Sequence, residues 1–509
     1  MTRRLAGDDL TYPATRSSVP AGGSVSLRVT LIAVGFVAAI MSSLGAPLIP
    51  EIARSSGVSL SVADWLLTAT LLTGAVMTPV MGRLADGPHA RRVLLVAMSS
   101  VLVGAVLAAL TSIFALLLVA RAMQGVGLGL MPVTMAMARR HLPGPVAAQT
   151  IALLSITSAT GIGLGYPLTA IVAEFAGYHA AFGVGAGLIA VVIVMAILFL
   201  PKRSETTSHR FDIGGAVLLA AAITLLVIGV SEGENWGWTS PAIIGMLLAS
   251  VVSTFAWGRY ELTMKAEPLV ELRHTRDRMV LTADIAGFLI CVSLYLAVPT
   301  IVQFVQAPTS TGYGFGSSII VGGCSLIPLS VGTLVASRYG ARFERRFGQR
   351  PMIPVGSAIF TAAMLLFAFE HSYIWEAFVV TALSGIGMGF TFAAMPSFIV
   401  KSVASHHTGS AMGFYQLVRS VGFAVGSAVA AVVLATFTSG SDPFPRVEGF
   451  QTCLLIGAGL CVVAGVVSYI LPGRMAGAPP VSDETIIETA ELEGSGILLD
   501  AHPIESATR

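Results

Sequence analysis

The sequence predicts an all-α membrane protein that crosses a bilayer fourteen times. Three observations carry that prediction. The 509 residues are 55% hydrophobic and only 11% charged, where soluble domains carry about 25% charged residues. Fourteen apolar runs of spanning length, about 18 residues or more, follow one another along the chain. Lysine and arginine fall almost entirely into alternate loops. Net charge is +2, so the composition suggests no acidic partner such as nucleic acid.

The runs lie near 28–49, 64–82, 92–112, 113–138, 149–175, 179–200, 212–231, 239–258, 279–305, 315–339, 351–370, 372–398, 408–436 and 449–471. Span 1 follows a polar stretch with Arg3, Arg4, Arg16 and Arg28. It ends in Pro47 and Pro50 with no small-residue cleavage site, which reads as a retained helix rather than a signal peptide. Spans 3 and 4 turn at Thr111 and Ser112. With the N-terminus in the cytoplasm, the tails and even-numbered loops hold 25 basic residues and the outer loops two, Arg54 and Arg446. That imbalance predicts a multi-pass protein of the cell membrane with both termini cytoplasmic. Trp65, Trp236, Trp238, Trp257 and Trp375 fall at predicted span ends, as an interfacial belt requires. Cys291, Cys324, Cys453 and Cys461 sit in apolar runs without metal-ligand spacing and read as buried thiols.

An internal repeat divides the chain. GVGLG at 125–129 matches GIGMG at 385–389, an offset of 260. Gly82 with Asp86 matches Gly340 with Glu344 at 258, and Gly161 with Gly165 matches Gly422 with Gly426 at 261. The offset covers eight spans, an even number, so both copies face the same way. The expected organisation is a cytoplasmic tail (1–27), a six-helix bundle (28–200), a linker with two extra helices (201–278) and a second six-helix bundle (279–472). Residues 473–509, with seven acids and several prolines, read as a disordered cytoplasmic tail.

Two arginines stand deep inside spans, and one aspartate lies nearer a span start. Arg121 lies eight or nine residues into span 4, roughly 12 Å deep. A guanidinium there costs at least about 2.5 kcal/mol on the most lenient scale. It is expected to face a bundle interior or wet cavity, as part of a substrate or proton path. Snorkelling to headgroups is the plainer alternative, which the depth disfavours. Arg419, about eleven residues into span 13, is a second cavity cation or a structural partner of backbone carbonyls. Asp284, about five residues into span 9, is a proton carrier or an interfacial helix-start aspartate. Two deep cations without a carboxylate at a span midpoint predict a preference for anionic or neutral solutes.

GRLADGPHARR, Gly82 to Arg92, joins spans 2 and 3. Gly82 permits close helix approach, Asp86 can cap or pair near a helix end, and Arg91 and Arg92 supply charge partners. This motif, RAMQGVG at 121–127 and GIGLGYP at 161–167 together resemble the gating-loop, fourth-helix and fifth-helix motifs of the major facilitator superfamily. Fourteen spans with two between the halves resemble its fourteen-helix drug:proton antiporter branch. The resemblance implies that Asp86, with Gly82, Arg91 and Arg92, latches a cytoplasmic gate. It implies that Arg121 and Gln124 line the proton or substrate path. Gly161, Gly165 and Pro167 would form the pliable antiporter helix, where proline removes a backbone hydrogen bond and glycine removes bulk.

Three departures are visible. Gly87-Pro88-His89-Ala90 replaces the usual spacing between acid and bases. Tyr166 separates Gly165 from Pro167, and Leu168-Thr169-Ala170 stands where a glycine pair usually follows. Met41, followed by Ser42 and Ser43, occupies the position where the branch usually carries a helix-1 aspartate.

The resulting expectation is a secondary active exporter of small amphipathic organic compounds by proton antiport, monomeric and without a cofactor. A dedicated exporter of one metabolite is the first alternative. A membrane-embedded enzyme is the second, with only the His406-His407 loop pair to suggest it. No glycine-rich, lysine-bearing phosphate loop is present.

Overall fold

The structure, a computed structural model, describes residues 21–45, 48–202, 212–264, 268–270, 272, 277–438 and 444–471. The acidic tail and most of the N-terminal tail lie outside them. Helices account for nearly all of the described residues, which contain one isolated bridge, Thr438 to Pro445, and no longer strand.

The first third of the chain folds as α1 (Ala21–Ser43), α2 (Ile49–Ser56), α3 (Leu60–Ala63), α4 (Trp65–Asp86), α5 (Ala90–Leu110), α6 (Phe114–Gly125), α7 (Leu130–His141) and α8 (Gly144–Phe199). The inserted region gives α9 (Ile213–Ser231), α10 (Gly233–Trp236) and α11 (Pro241–Thr263). The remainder forms α12 (Arg278–Gln306), α13 (Ile319–Cys324), α14 (Ile327–Phe347), α15 (Met352–Phe369), α16 (Ile374–Ser402), α17 (Thr408–Thr436) and α18 (Val447–Ile470).

Thirteen helices are long and apolar enough to cross a membrane. One of them divides. The 56-residue α8 is interrupted at Gly177, whose φ of 76° and ψ of 170° leave the helical region. Glycine alone adopts that conformation without strain. The second half then starts with its Tyr178 N–H donating to Glu51 of α2 at 3.2 Å. The break lies inside the predicted 175–179 gap, so the thirteen apolar helices among the described residues are compatible with the fourteen predicted spans.

Elsewhere the spans depart from straight rods. Span 4 is α6 and α7 joined by a tight 3-10 turn over Val126–Gly129, where two glycines let the chain overwind. Span 10, Ile320–Gly340, runs through α13 and α14, which are separated at Ser325 and Leu326, with Pro328 in the first turn of the second helix. Trp257 is not part of an interfacial belt. It is buried against Phe414 of α17, with ring centroids 6.3 Å apart.

The repeated glycines make repeated contacts. In span 4, Gly125 lies on the Thr70 carbonyl of α4, and Gly385 of α16 lies on the Leu329 carbonyl of α14. Gly161 packs on Ala39 of α1, and Gly422 on Phe288 of α12. Gly165 meets Ser43 of α1, and Gly426 meets the Val292 carbonyl of α12. A β-carbon at any of these positions would push two helix backbones apart. Between the two copies, α4 packs on α17 and α8 on α14 and α16. Helices α9 and α11 pair with each other, and α9 also lies on α4 and α17.

Candidate functional site

The end of α4 is tied to the start of α17. Gly82 brings the α4 backbone within van der Waals contact of Gly409 and Gly413. Asp86, fully buried, then reaches the first turn of α17. Its Oδ1 accepts the Gly409 N–H at 2.7 Å and its Oδ2 the Ser410 N–H at 2.8 Å. These amides are unpaired within their own helix and carry the positive end of its dipole, so a carboxylate satisfies both needs.

The bases that surround Asp86 are not all those the loop motif suggests. Arg91 donates to the Ile197 carbonyl at 2.7 Å, and Arg92 is exposed. The departure from the usual spacing turns both away. Arg83 acts electrostatically on the carboxylate. Arg140, from the end of α7, donates to the carbonyls of Ala85, Asp86 and Gly87 at 3.0–3.3 Å. Its neighbour Arg139 donates to Val400 and to Val403 (2.8 Å) at the end of α16. Sequence reasoning counted Arg139 and Arg140 only toward loop charge. Their adjacency at a helix end, where side chains reach free carbonyls, was the available signal.

Arg121 faces the protein interior, 1% exposed. Nη1 donates to Oε1 of Gln124 at 2.6 Å, the helical i+3 neighbour. Gly45, just past α1, leaves room for the guanidinium, and the Phe182 ring lies 6.0 Å away. Among the described residues, Nε and Nη2 of Arg121 and Nε2 of Gln124 are buried without a hydrogen-bond partner. A buried donor left unpaired is costly, and three lie together here.

Arg419 is equally deep but differently held. Nη1 donates to Gln416 at 2.7 Å. The guanidinium carbon lies 4.0 Å from the Phe392 centroid, 5.5 Å from Tyr415 and 6.0 Å from Phe423. Asp284, on α12, is 6% exposed, and among the described residues neither carboxylate oxygen has a hydrogen-bond partner. Gly287, one turn further on, faces Tyr415 and Arg419. The chain therefore does bury a carboxylate within a span, and that face of α12 looks toward the helix bearing Arg419.

Of the fifth-helix residues, Gly161 and Gly165 fit α8 onto α1, where the Ser43 hydroxyl donates to the Gly161 carbonyl at 3.2 Å. Pro167 sits inside α8. Met41 is buried, with its sulfur beside Gly185. The site's elements thus gather around Arg121 and around the α12–α17 seam, with Asp86 at the helix ends.

The model of the Major Facilitator Superfamily matches residues 31–212 and 283–497. The chain belongs to that superfamily. The unmatched stretch between the two parts holds α9 and α11, the inserted pair. Relatives within the superfamily include Multidrug resistance protein 3 of Bacillus subtilis, 25% identical over 397 residues, covering 76% of this chain and 75% of that one. Multidrug resistance protein Stp of Mycobacterium tuberculosis is 26% identical over 396 residues, covering 77% and 72%. The crystal structure of the human organic anion transporter MFSD10 (TETRAN) shares the fold, with a TM-score of 0.62 at 16% identity over 88% of this chain and all of that one. The chain is a multi-pass membrane transporter for small molecules, not an enzyme.

Proposed function

We propose that this transporter exports small amphipathic organic compounds, drugs among them, in exchange for protons. Relatives named for multidrug resistance support the direction and substrate class. The observation that carries the reading is a pair of buried ionisable groups with atoms left unsatisfied among the described residues, Arg121 at Nε and Nη2 and Asp284 at both carboxylate oxygens. Such groups inside spans are expensive and persist where they meet a substrate or an ion. In this reading Arg121 and Gln124 offer donors to a polar or anionic group of the substrate. Asp284 takes up the coupling proton in place of the carboxylate that Met41 displaces, and Arg419 holds α17 beside it.

Two bundles, 28–200 and 279–472, rock about the cavity between them. Asp86 latches α4 to α17 when the cytoplasmic side is shut, and Gly161, Gly165 and Pro167 let α8 flex against α1. The protein works as a monomer in the cell membrane with both termini cytoplasmic.

The test is substrate efflux driven by a pH gradient in proteoliposomes. The wild type is expected to accumulate substrate against its gradient. Asp284→Asn is expected to lose that response while retaining substrate exchange at equal pH. A wild type indifferent to the pH gradient rules out proton antiport. Loss of equal-pH exchange as well in Asp284→Asn would assign Asp284 to substrate binding or folding instead.

A further inference from the structure

The inserted helices hold a second set of buried carboxylates, apart from Arg121, Arg419 and Asp284. Asp212 caps α9, its Oδ1 accepting the Gly215 N–H at 2.9 Å and the Tyr260 hydroxyl at 3.2 Å. Glu261, near the end of α11, accepts the Trp257 indole N–H on Oε1 at 3.0 Å. The two residues are 4% and 3% exposed, and among the described residues Oδ2 of Asp212 and Oε2 of Glu261 have no hydrogen-bond partner. Asp212 Oδ2 and Glu261 Oε1 both occupy the space that a β-carbon at Gly215 would fill, so the two carboxyl groups are neighbours.

Among the described residues, the titratable groups acting on Glu261 are Asp212 and Tyr260. The faces of α4 and α17 packed against this hairpin present Leu72 and Ala75 on one and Phe414 and Leu417 on the other, and Thr68 of α4 donates to Ser231 of α9 at 3.2 Å; none of these is titratable. Two ionised carboxylates cannot share so small a buried space without a base between them. One proton removes the repulsion and lets one carboxyl donate to the other.

A further contact ties this pair to the rest of the molecule. The backbone N–H groups of Leu269 and Val270, in the segment after α11, face the Glu261 carboxylate. Their side chains are buried in one cluster with Trp257, Ala75 of α4 and Leu417 of α17. Trp257, held by Glu261, stacks on Phe414 of α17.

We propose that Asp212 and Glu261 form a proton-binding site that holds one proton between them and clasps the inserted hairpin and Leu269–Val270 onto α4 and α17. When rising pH removes that proton, two like charges face each other in a buried seam and the clasp opens. Because α4 and α17 are the helices that Asp86 joins, the clasp biases how readily they part. That last consequence rests on the exporter reading; the clasp itself does not.

The experiment uses the purified full-length chain in lipid nanodiscs with Val270→Cys. Maleimide labelling of that thiol is followed by mass spectrometry from mildly acid to alkaline pH, normalised to a free thiol peptide. Normalised labelling is expected to rise about tenfold on the alkaline side as the buried seam opens. With Glu261→Gln added, it is expected to stay low throughout, because an amide carries no charge. Asp212→Asn keeps a cap on α9 and is expected to give the same flat profile, so the comparison survives if one amide variant fails to fold. A flat profile with Val270→Cys alone, or a rise that persists in an amide variant that folds, overturns the proposal. Proton-driven transport is measured separately, so its failure leaves this result standing.

Discussion

Arg121 and Arg419 are the two arginines that the sequence places deep within spans, and the structure treats them in opposite ways. Both are almost fully buried, and each donates one nitrogen to a glutamine three residues away on its own helix. Beyond that glutamine, Arg121 has one ring at 6.0 Å and two nitrogens without a hydrogen-bond partner. Arg419 is enclosed by three rings, the nearest at 4.0 Å. A desolvated cation over aromatic faces gains about 2 kcal/mol or more, so Arg419 has its compensation inside the protein. Arg121 has no comparable enclosure among the described residues. On the function proposed above, one buried charge is structural and the other meets a ligand, and burial alone does not distinguish them.

Removing each side chain breaks this comparison most directly. Arg121→Ala is expected to lower transport by about a hundredfold or more, since it removes the donors offered to substrate. It is expected not to lower thermal stability, because it also removes an under-compensated buried charge. Arg419→Ala is expected to cost about 2–4 kcal/mol in unfolding measured in detergent, leaving three rings around a cavity. If Arg121→Ala destabilises as much as Arg419→Ala, the distinction between the two sites collapses.

A smaller effect sharpens the same contrast. A methyl group at Gly45 would meet the Arg121 guanidinium carbon at 2.6 Å. Gly45→Ala is therefore expected to displace the cation without removing it. Transport should fall about tenfold, mostly through weaker substrate binding, with unfolding changed by less than about 1 kcal/mol. Direct substrate titration by tryptophan quenching separates binding from turnover. The smallest effect is expected from Phe392→Leu. It keeps the apolar volume near Arg419 but removes the closest ring, at a cost of about 1 kcal/mol in thermal unfolding. No change there would mean that the remaining rings and Gln416 suffice.

Legibility from sequence followed the range of each interaction. Arg121 and Gln124 lie on one helical face, so their pairing needed only the i+3 rule. Gly125, Gly161, Gly385 and Gly422 announced close helix contacts, because a missing side chain matters most where backbones meet. The partners of Asp86 were not legible. Arg91 and Arg92 are close to it in the chain, but helix α5 carries Arg91 to Ile197. The groups that bind Asp86 lie on Gly409 and Ser410, more than three hundred residues away, and they are backbone amides that no residue type marks. Trp257 misled for a similar reason, since its position near a span end is shared by belt tryptophans and by one that stacks on a neighbouring helix.

The sequence by itself determined that the chain crosses the membrane many times, the internal repeat and the presence of deep charges. Those follow from hydrophobic run length and the cost of charge in hydrocarbon, which are properties of a single helix. Tertiary structure alone decided which of the charges are satisfied. Satisfaction depends on which rings, carbonyls and amides other helices bring alongside, and helix packing, not chain order, sets that.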